Sequence, residues 1–197
     1  MHPYTDTQKH PLLILIRGLP GSGKSYFAFA LQKLLGENAT VMLDPDAIDY
    51  ERQQYKDHVA SLTAEGVDPT LHAYRFSRAK AYQGITDHKI IIWNQPFTNL
   101  EIFRKMTDRL ETHAAEQSTS LPILVVEIAI DPEVARKRVI ARKQAGGHGP
   151  SDEVFERFIR DYASFTDTEY DTVSINGDDD VSTSTSLVMS HVARLLS

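Results

Sequence analysis

Gly18-Leu19-Pro20-Gly21-Ser22-Gly23-Lys24-Ser25 follows an apolar run at 12–16 and opens a helical pattern that carries on to position 35. The octet fits G-x-x-x-x-G-K-[ST] at each fixed position, and its strand, loop and helix context is the one that motif requires. Glycines in such a loop let successive backbone N–H groups turn inward around an anion at a distance a side chain would prevent. A helix starting near Lys24 adds uncapped N–H groups and the positive end of its dipole. The stretch therefore predicts a cradle for a nucleotide's phosphate chain, formed by Gly18, Leu19, Pro20, Gly21, Ser22, Gly23, Lys24, Ser25 and Tyr26. Lys24 would reach the terminal phosphates, and the Ser25 hydroxyl would be a ligand of Mg²⁺.

The rest of the chain agrees with a single globular domain over 1–197. Of 197 residues, 41% are hydrophobic and 24% charged, enough apolar material for one sizeable core. There is no cysteine, so neither a disulfide framework nor a thiol zinc site can form, which suits a reducing cytoplasm. No apolar run approaches the roughly twenty residues of a membrane span, and the polar start at 1–10 lacks a signal-peptide pattern. A cytoplasmic protein without membrane attachment is expected. The net charge of −6 disfavours, without excluding, a protein built mainly to grip nucleic acid. The histidines show no metal-ligand spacing. Oligomeric state is not encoded in any pattern found.

Short apolar runs at 12–16, 40–43, 89–93, 123–130 and 172–175 alternate with helical patterns, which predicts an α/β fold with a parallel sheet covered on both faces. Helices are expected at 47–64, from the Asp68-Pro69 start to about 84, at 99–115, from the Asp131-Pro132 start onward, at 154–163 and at 185–196. The excursion at 44–88 is the longest between strands and is where acceptor-specific helices should lie. In its second helix Arg78 interrupts the apolar stripe Leu71, Tyr74, Ala81 and Ile85. Either its stem covers core while its head meets water, or it reaches into the cleft as a substrate ligand.

Two further sets of residues carry chemistry. Asp44 and Asp46 follow the second strand, at the end of a parallel sheet where ligands bind. Asp46 is the candidate base for an attacking hydroxyl and a candidate substrate contact, and Asp44 a structural or magnesium-linked acid. Both could instead only cap the next helix. The helix after Asp131-Pro132 carries Arg138 and Arg142, four apart and so on one side, with no acid from Val134 through Pro150. They are the candidate lid arginines, in a lid at about 136–150 whose Gly146-Gly147-His148-Gly149-Pro150 segment can turn and move. His148 and Asn94, the latter just after the third strand, complete the candidate substrate contacts.

In motif order the chain resembles the AAA-type small P-loop kinases grouped with zeta toxins and polynucleotide-kinase-like ATP-binding proteins. The resemblance rests on Gly18 to Ser25, Asp44-Pro45-Asp46, the arginine helix and the glycine segment with His148 and Pro150. It implies a P-loop NTPase three-layer sandwich with strand order 2-3-1-4-5 and a mobile lid. It also implies ATP, with GTP as the alternative nucleotide, Mg²⁺, and transfer of the γ-phosphoryl group to a hydroxyl-bearing acceptor. The sequence departs from that family at two places. Asp49 stands where the family has an arginine three residues after the aspartate, and Asn94 stands where many relatives have an aspartate near the metal. A small molecule, nucleotide-sugar or nucleoside-like acceptor is the first reading. A 5′-hydroxyl polynucleotide, or a regulatory module with slow ATP hydrolysis, is the alternative.

Overall fold

Leu12, Ile14 and Ile16 alternate with Leu13 and Leu15 along one strand, and both sets are fully buried. Such a strand must be covered on both faces, and the computed structural model, which describes residues 10–165 and 168–197, puts it at the centre of the sheet. The strands are β1 (Leu12–Arg17), β2 (Thr40–Leu43), β3 (Ile90–Asn94), β4 (Ile123–Ala129) and β5 (Asp171–Asn176). They run parallel in the order β2-β3-β1-β4-β5. The helices are α1 (Lys24–Leu35), α2 (Gln53–Ala64), α3 (His72–Thr86), α4 (Leu100–Glu116), α5 (Pro132–Gln144), α6 (Asp152–Arg160) and α7 (Val181–Leu195). Residues 1–9, which carry the polar start read from the sequence, lie outside the described residues. Among the described residues no helix is long and apolar enough to cross a membrane.

Each face of β1 seeds its own cluster. Leu12, Ile14 and Ile16 pack with Phe27 and Leu31 of α1 and Val188 and Val192 of α7. Leu13 and Leu15 pack with Ala81 and Ile85 of α3 and with Phe103, Met106 and Leu110 of α4. A third, smaller cluster lies outside the sheet, where Ala135 and Val139 of α5 meet Phe155 of α6 and Leu19 of the glycine loop. α5 and α6 therefore have their own apolar contact, and part of it is the loop between β1 and α1.

Helix boundaries differ from the sequence expectation where local aspartates intervene. Asp44 accepts from Asp46 N and closes a short 3₁₀ turn, Pro45–Ala47, and Asp49 accepts from Glu51 N. These side chains offer the backbone alternatives to helix, so α2 begins at Gln53 instead of 47. Asp68 likewise caps a 3₁₀ turn, Pro69–Leu71, ahead of α3. At α7 the effect is reversed: Asp180 caps the helix and starts it four residues earlier than expected.

Candidate functional site

All five parallel strands end on one side, and the chain loops there into a cleft of about 700 Å³. Lining it are Pro20, Gly21, Gly23, Lys24, Ser25 and Tyr26 of the glycine loop and α1, Asp44 and Asp46 after β2, Asn94 at the end of β3, Arg138 and Arg142 of α5, and His148 in the segment after α5. Gly18, Leu19 and Ser22 form the buried underside of the loop. The structure thus brings together every residue proposed for catalysis and metal binding.

The loop has the properties of an anion cradle. Gly23 provides no side-chain cap, no acid stands in the first turn of α1, and the first backbone bond of the helix runs from Phe27 N to Gly23 O. The N–H groups of Lys24, Ser25 and Tyr26 are left for a ligand. Lys24 Nζ donates to the carbonyl oxygens of Gly18 and Leu19, 2.9 Å each. Burial lowers the Lys24 pKa to about 8, against the upward pull of Asp44 and Asp46 and with a further downward push from Arg142. Gly21 has no room for a side chain: a Cβ there would sit 2.3 Å from the Ala135 carbonyl oxygen of α5.

Asp44 and Asp46 are two residues apart and differ sharply in their surroundings. One Asp44 oxygen accepts from Asp46 N at 3.0 Å, and the other accepts from Asn94 Nδ2 at 2.7 Å and from Ser25 Oγ at 3.4 Å. The Asn94 amide also donates to Ser25 Oγ at 3.0 Å. A carboxylate can only accept here, so it is the amide nitrogen that must face Asp44. The Asp46 carboxylate, by contrast, has no hydrogen-bond partner among the described residues and is exposed in the cleft. Asp44 is a fixed acid and a cap; Asp46 is a free one.

Ser25 and Asp44 are the residues that could hold Mg²⁺, with Asn94 orienting both, and the donor set fits a hard cation that takes most of its oxygens from phosphate and water. Among the described residues no group of three or more histidines and acids could hold a metal by itself. Two buried oxygens near the loop, Ser22 Oγ and Asn94 Oδ1, have no protein partner.

Arg138 and Arg142 also differ. Arg138 donates to Gly177 O at 3.2 Å and to Asp178 at 2.5 Å, in the turn after β5. The Arg142 guanidinium has no ion-pair or hydrogen-bond partner among the described residues and is close enough to Lys24 to affect its titration. Gly147 and Gly149 serve close packing against this helix as well as turning. A Cβ on Gly147 would lie 2.7 Å from Arg142 Cγ, and one on Gly149 would lie 2.9 Å from Val139 Cγ1.

Arg78 is the one candidate that the structure keeps away from the cleft. Its guanidinium sits 5.7 Å and 5.9 Å from the ring centroids of Tyr74 and Tyr82, on its own helix, and it lines neither the cleft nor the pocket beside it. The helical period explains the correction: the face of α3 that lines the neighbouring pocket carries Phe76, Ser77 and Lys80, and Arg78 is rotated off it.

Three features escaped the sequence reading. Lys80 and Arg52 line a second pocket that shares Ser25, Asp44 and Asn94 with the cleft. The turn at Gly177 and Asp178 closes against the glycine loop, where a Cβ on Gly177 would sit 2.6 Å from Ser22 O, and it holds Arg138. Arg17, fully buried, pairs with Glu127 at 2.9 Å and donates to Ala163 O at 2.7 Å. Its guanidinium is flanked by the rings of Tyr162 and Phe165 at 4.1 and 3.9 Å. The register places Arg17 directly opposite Glu127. Two lone, opposite charges in neighbouring buried strands were the available signal.

With this geometry in view, the comparisons with known proteins are specific about fold. A candidate kinase from Chloroflexus aurantiacus J-10-fl superposes with a TM-score of 0.64 at 16% identity, covering 96% of this chain and 99% of that one. Kti12 from Chaetomium thermophilum, in complex with ADP-AlF3, gives 0.61 at 18% identity over 94% and 99%. A gluconokinase from Sinorhizobium meliloti 1021 gives 0.56 at 16% identity over 95% and 94%. No curated protein matches the sequence significantly. The AAA domain family AAA_33 matches residues 13–165, well over half of the chain, and this protein belongs to that family of P-loop NTPase domains.

Proposed function

We propose that the protein is an ATP- and Mg²⁺-dependent phosphotransferase that moves the γ-phosphoryl group to a hydroxyl of a small-molecule, nucleotide-sugar or nucleoside-like acceptor. Within its family we group it with the zeta-toxin-like and polynucleotide-kinase-like small kinases, acting in the cytoplasm. The observation that carries the reading is the convergence, in one cleft, of the uncapped loop, the unpartnered Asp46 carboxylate and the unpartnered Arg142 guanidinium.

Each group has a distinct task. The loop N–H groups and Lys24 hold the phosphate chain in place. Asp46 accepts the acceptor's hydroxyl proton as its oxygen bonds to the γ-phosphorus, while the bond from that phosphorus to the β–γ bridging oxygen breaks and ADP leaves. Arg142 faces the same space and offsets the charge that builds up on the leaving oxygen, and Arg138 joins it once released from Asp178. Mg²⁺, held by Ser25 and Asp44, would neutralise phosphate charge and fix the chain's orientation.

The test is a screen of sugars, sugar acids, nucleosides, amino-sugar nucleotides and 5′-hydroxyl oligonucleotides with γ-labelled ATP and Mg²⁺. Label should pass to one acceptor class and should stop with Asp46→Asn. Label released only as inorganic phosphate, with every acceptor unlabelled, would show a nucleotide-binding ATPase instead of a kinase.

A further inference from the structure

Beside the phosphate cleft lies a second pocket of about 250 Å³, continuous with it through Ser25, Phe29, Asp44, Ala47 and Asn94. Its walls are mostly apolar, from Ala28, Met42, Leu43, Ile48 and Phe76, and its volume is at the small end for ligand sites. Its charges are unevenly placed. Asp44 stands at the end shared with the phosphate cleft, bonded to Asn94 and Ser25. Arg52 and Lys80 come from the start of α2 and from α3, on the wall away from the glycine loop.

These two cations are near enough for Arg52 to push the Lys80 pKa down, adding to the larger effect of Lys80's own burial. Neither has a carboxylate within ion-pair distance among the described residues. Asp49 also lines the pocket but forms no ion pair among the described residues, accepting instead from Glu51 N, and Glu51 pairs with Lys56 at 2.7 Å. Lys80 Nζ rests 5.0 Å from the centroid of the Phe76 ring, whose other contacts are the edges of Tyr55 and His58. Two like charges that share a pocket wall, neither of them in an ion pair among the described residues, are unfavourable until an anion arrives.

We propose that this pocket selects acceptors bearing their own anionic group, a carboxylate or phosphate ester seated between Arg52 and Lys80, with the hydroxyl to be phosphorylated at the Ser25–Asp44 end. The direction of the acceptor rests on the kinase reading above; the charge preference does not. Phe76 and Phe29 bound the body between the two ends, so the acceptor is compact.

The experiment is calorimetric titration of the full chain, with and without a non-hydrolysable ATP analogue and Mg²⁺, using two matched pairs. Gluconate against sorbitol differs only in a carboxylate. Adenosine 3′-monophosphate against adenosine differs only in a phosphate ester and keeps the 5′-hydroxyl free. The anionic member of at least one pair should bind roughly ten-fold tighter or more, the scale of charge-assisted hydrogen bonds, and which pair responds identifies the anion. Lys80→Gln and Arg52→Gln should each remove most of that preference while leaving the affinity for the ATP analogue unchanged. If either variant fails to fold, the wild-type preference must still shrink as salt is raised, because Arg52 is exposed. Equal binding within both pairs, no binding of any of the four, or a preference that survives both substitutions would overturn the proposal. Charge preference without any transfer from ATP would leave this site standing and defeat the kinase reading instead.

Discussion

The phosphate cleft and the pocket beside it share five residues, yet they are made of different material. The phosphate end of the cleft is walled by backbone: N–H groups at the start of α1 and glycines that let the loop lie against α5, all supplied by the single stretch 18–26. The pocket is walled by side chains from β2, the irregular stretch at 48–52 and one face of α3. Backbone recognition serves any phosphate chain and tolerates no change of spacing, whereas side-chain recognition can be respecified one residue at a time. A fold can therefore keep its nucleotide site and exchange acceptors.

The sharpest way to break this comparison is Asp46→Asn, at a residue that lines the cleft between the shared residues Asp44 and Ala47. A lost general base costs about 10²–10⁴ in rate, so kcat should fall by that factor with nucleotide affinity nearly intact, measured by single-turnover transfer and by equilibrium titration. Equal losses in both would move Asp46 to the phosphate side. Asp44→Asn should behave differently, because Asp44 closes the 3₁₀ turn and bonds Asn94 and Ser25; its loss should weaken Mg²⁺ dependence and lower thermal stability together.

The lid arginines sharpen the contrast next. Arg142→Ala should slow transfer by about 10²–10³, as removal of one preorganised transition-state donor does. Arg138→Ala should cost less, since Arg138 must first leave Asp178 and Gly177 O to contribute. Single-turnover rates for the two variants check the order. A larger loss for Arg138 would mean that its hold on the turn after β5, rather than its charge, supports the site.

How far the sequence could be read follows the same division. The octet at 18–25 and the pairing of Arg138 with Arg142 on one helix side depend on local spacing, and both are found in the fold; the strand order, also found, came only from the family resemblance. The cleft reading of Arg78 fails because a stripe of four apolar residues around it does not reveal which helix face turns to a pocket; Lys80, two residues on, lines the pocket beside the cleft. Arg52 was hidden inside an expected helix that Asp44 and Asp49 interrupt with their own hydrogen bonds. Arg17 and Glu127 meet across 110 residues, and only the β1–β4 register joins them.

Two glycines of the octet test whether the loop answers to the phosphate or to the lid. Gly21 has φ +88 and lies against α5, while Gly23 has φ +97 and nothing within 4 Å of a would-be Cβ. Gly23→Ala should lose about 1–2 kcal/mol, the cost of a left-handed alanine. Gly21→Ala adds overlap with a backbone carbonyl that no rotamer relieves, so its loss should reach about 3 kcal/mol or more. Urea unfolding of the nucleotide-free chain measures both. Equal losses would mean that α5 yields easily and that the lid contact constrains the loop little.

The smallest effect concerns protons on Lys24. Its ordinary pKa of 10.5 is lowered to about 8 in the folded chain, mainly by burial. Between about pH 8 and 10.5 the unfolded chain keeps a proton that the folded chain has released, so the unfolded state binds more protons and stability rises with pH across that window. Below pH 8 both states are protonated and the cost of burying the charge is constant. A bound phosphate chain favours the charged amine, which reverses the trend for the ligand: nucleotide affinity should fall above pH 8 by up to roughly ten-fold per pH unit. Melting temperature and the affinity for a non-hydrolysable ATP analogue should therefore move in opposite directions over the same pH range. Subtracting the profiles of Lys24→Met isolates the lysine from other titrating groups. If the subtracted affinity profile is flat, the lysine stays charged in the free protein, and the two carbonyl oxygens that hold its ammonium outweigh its burial.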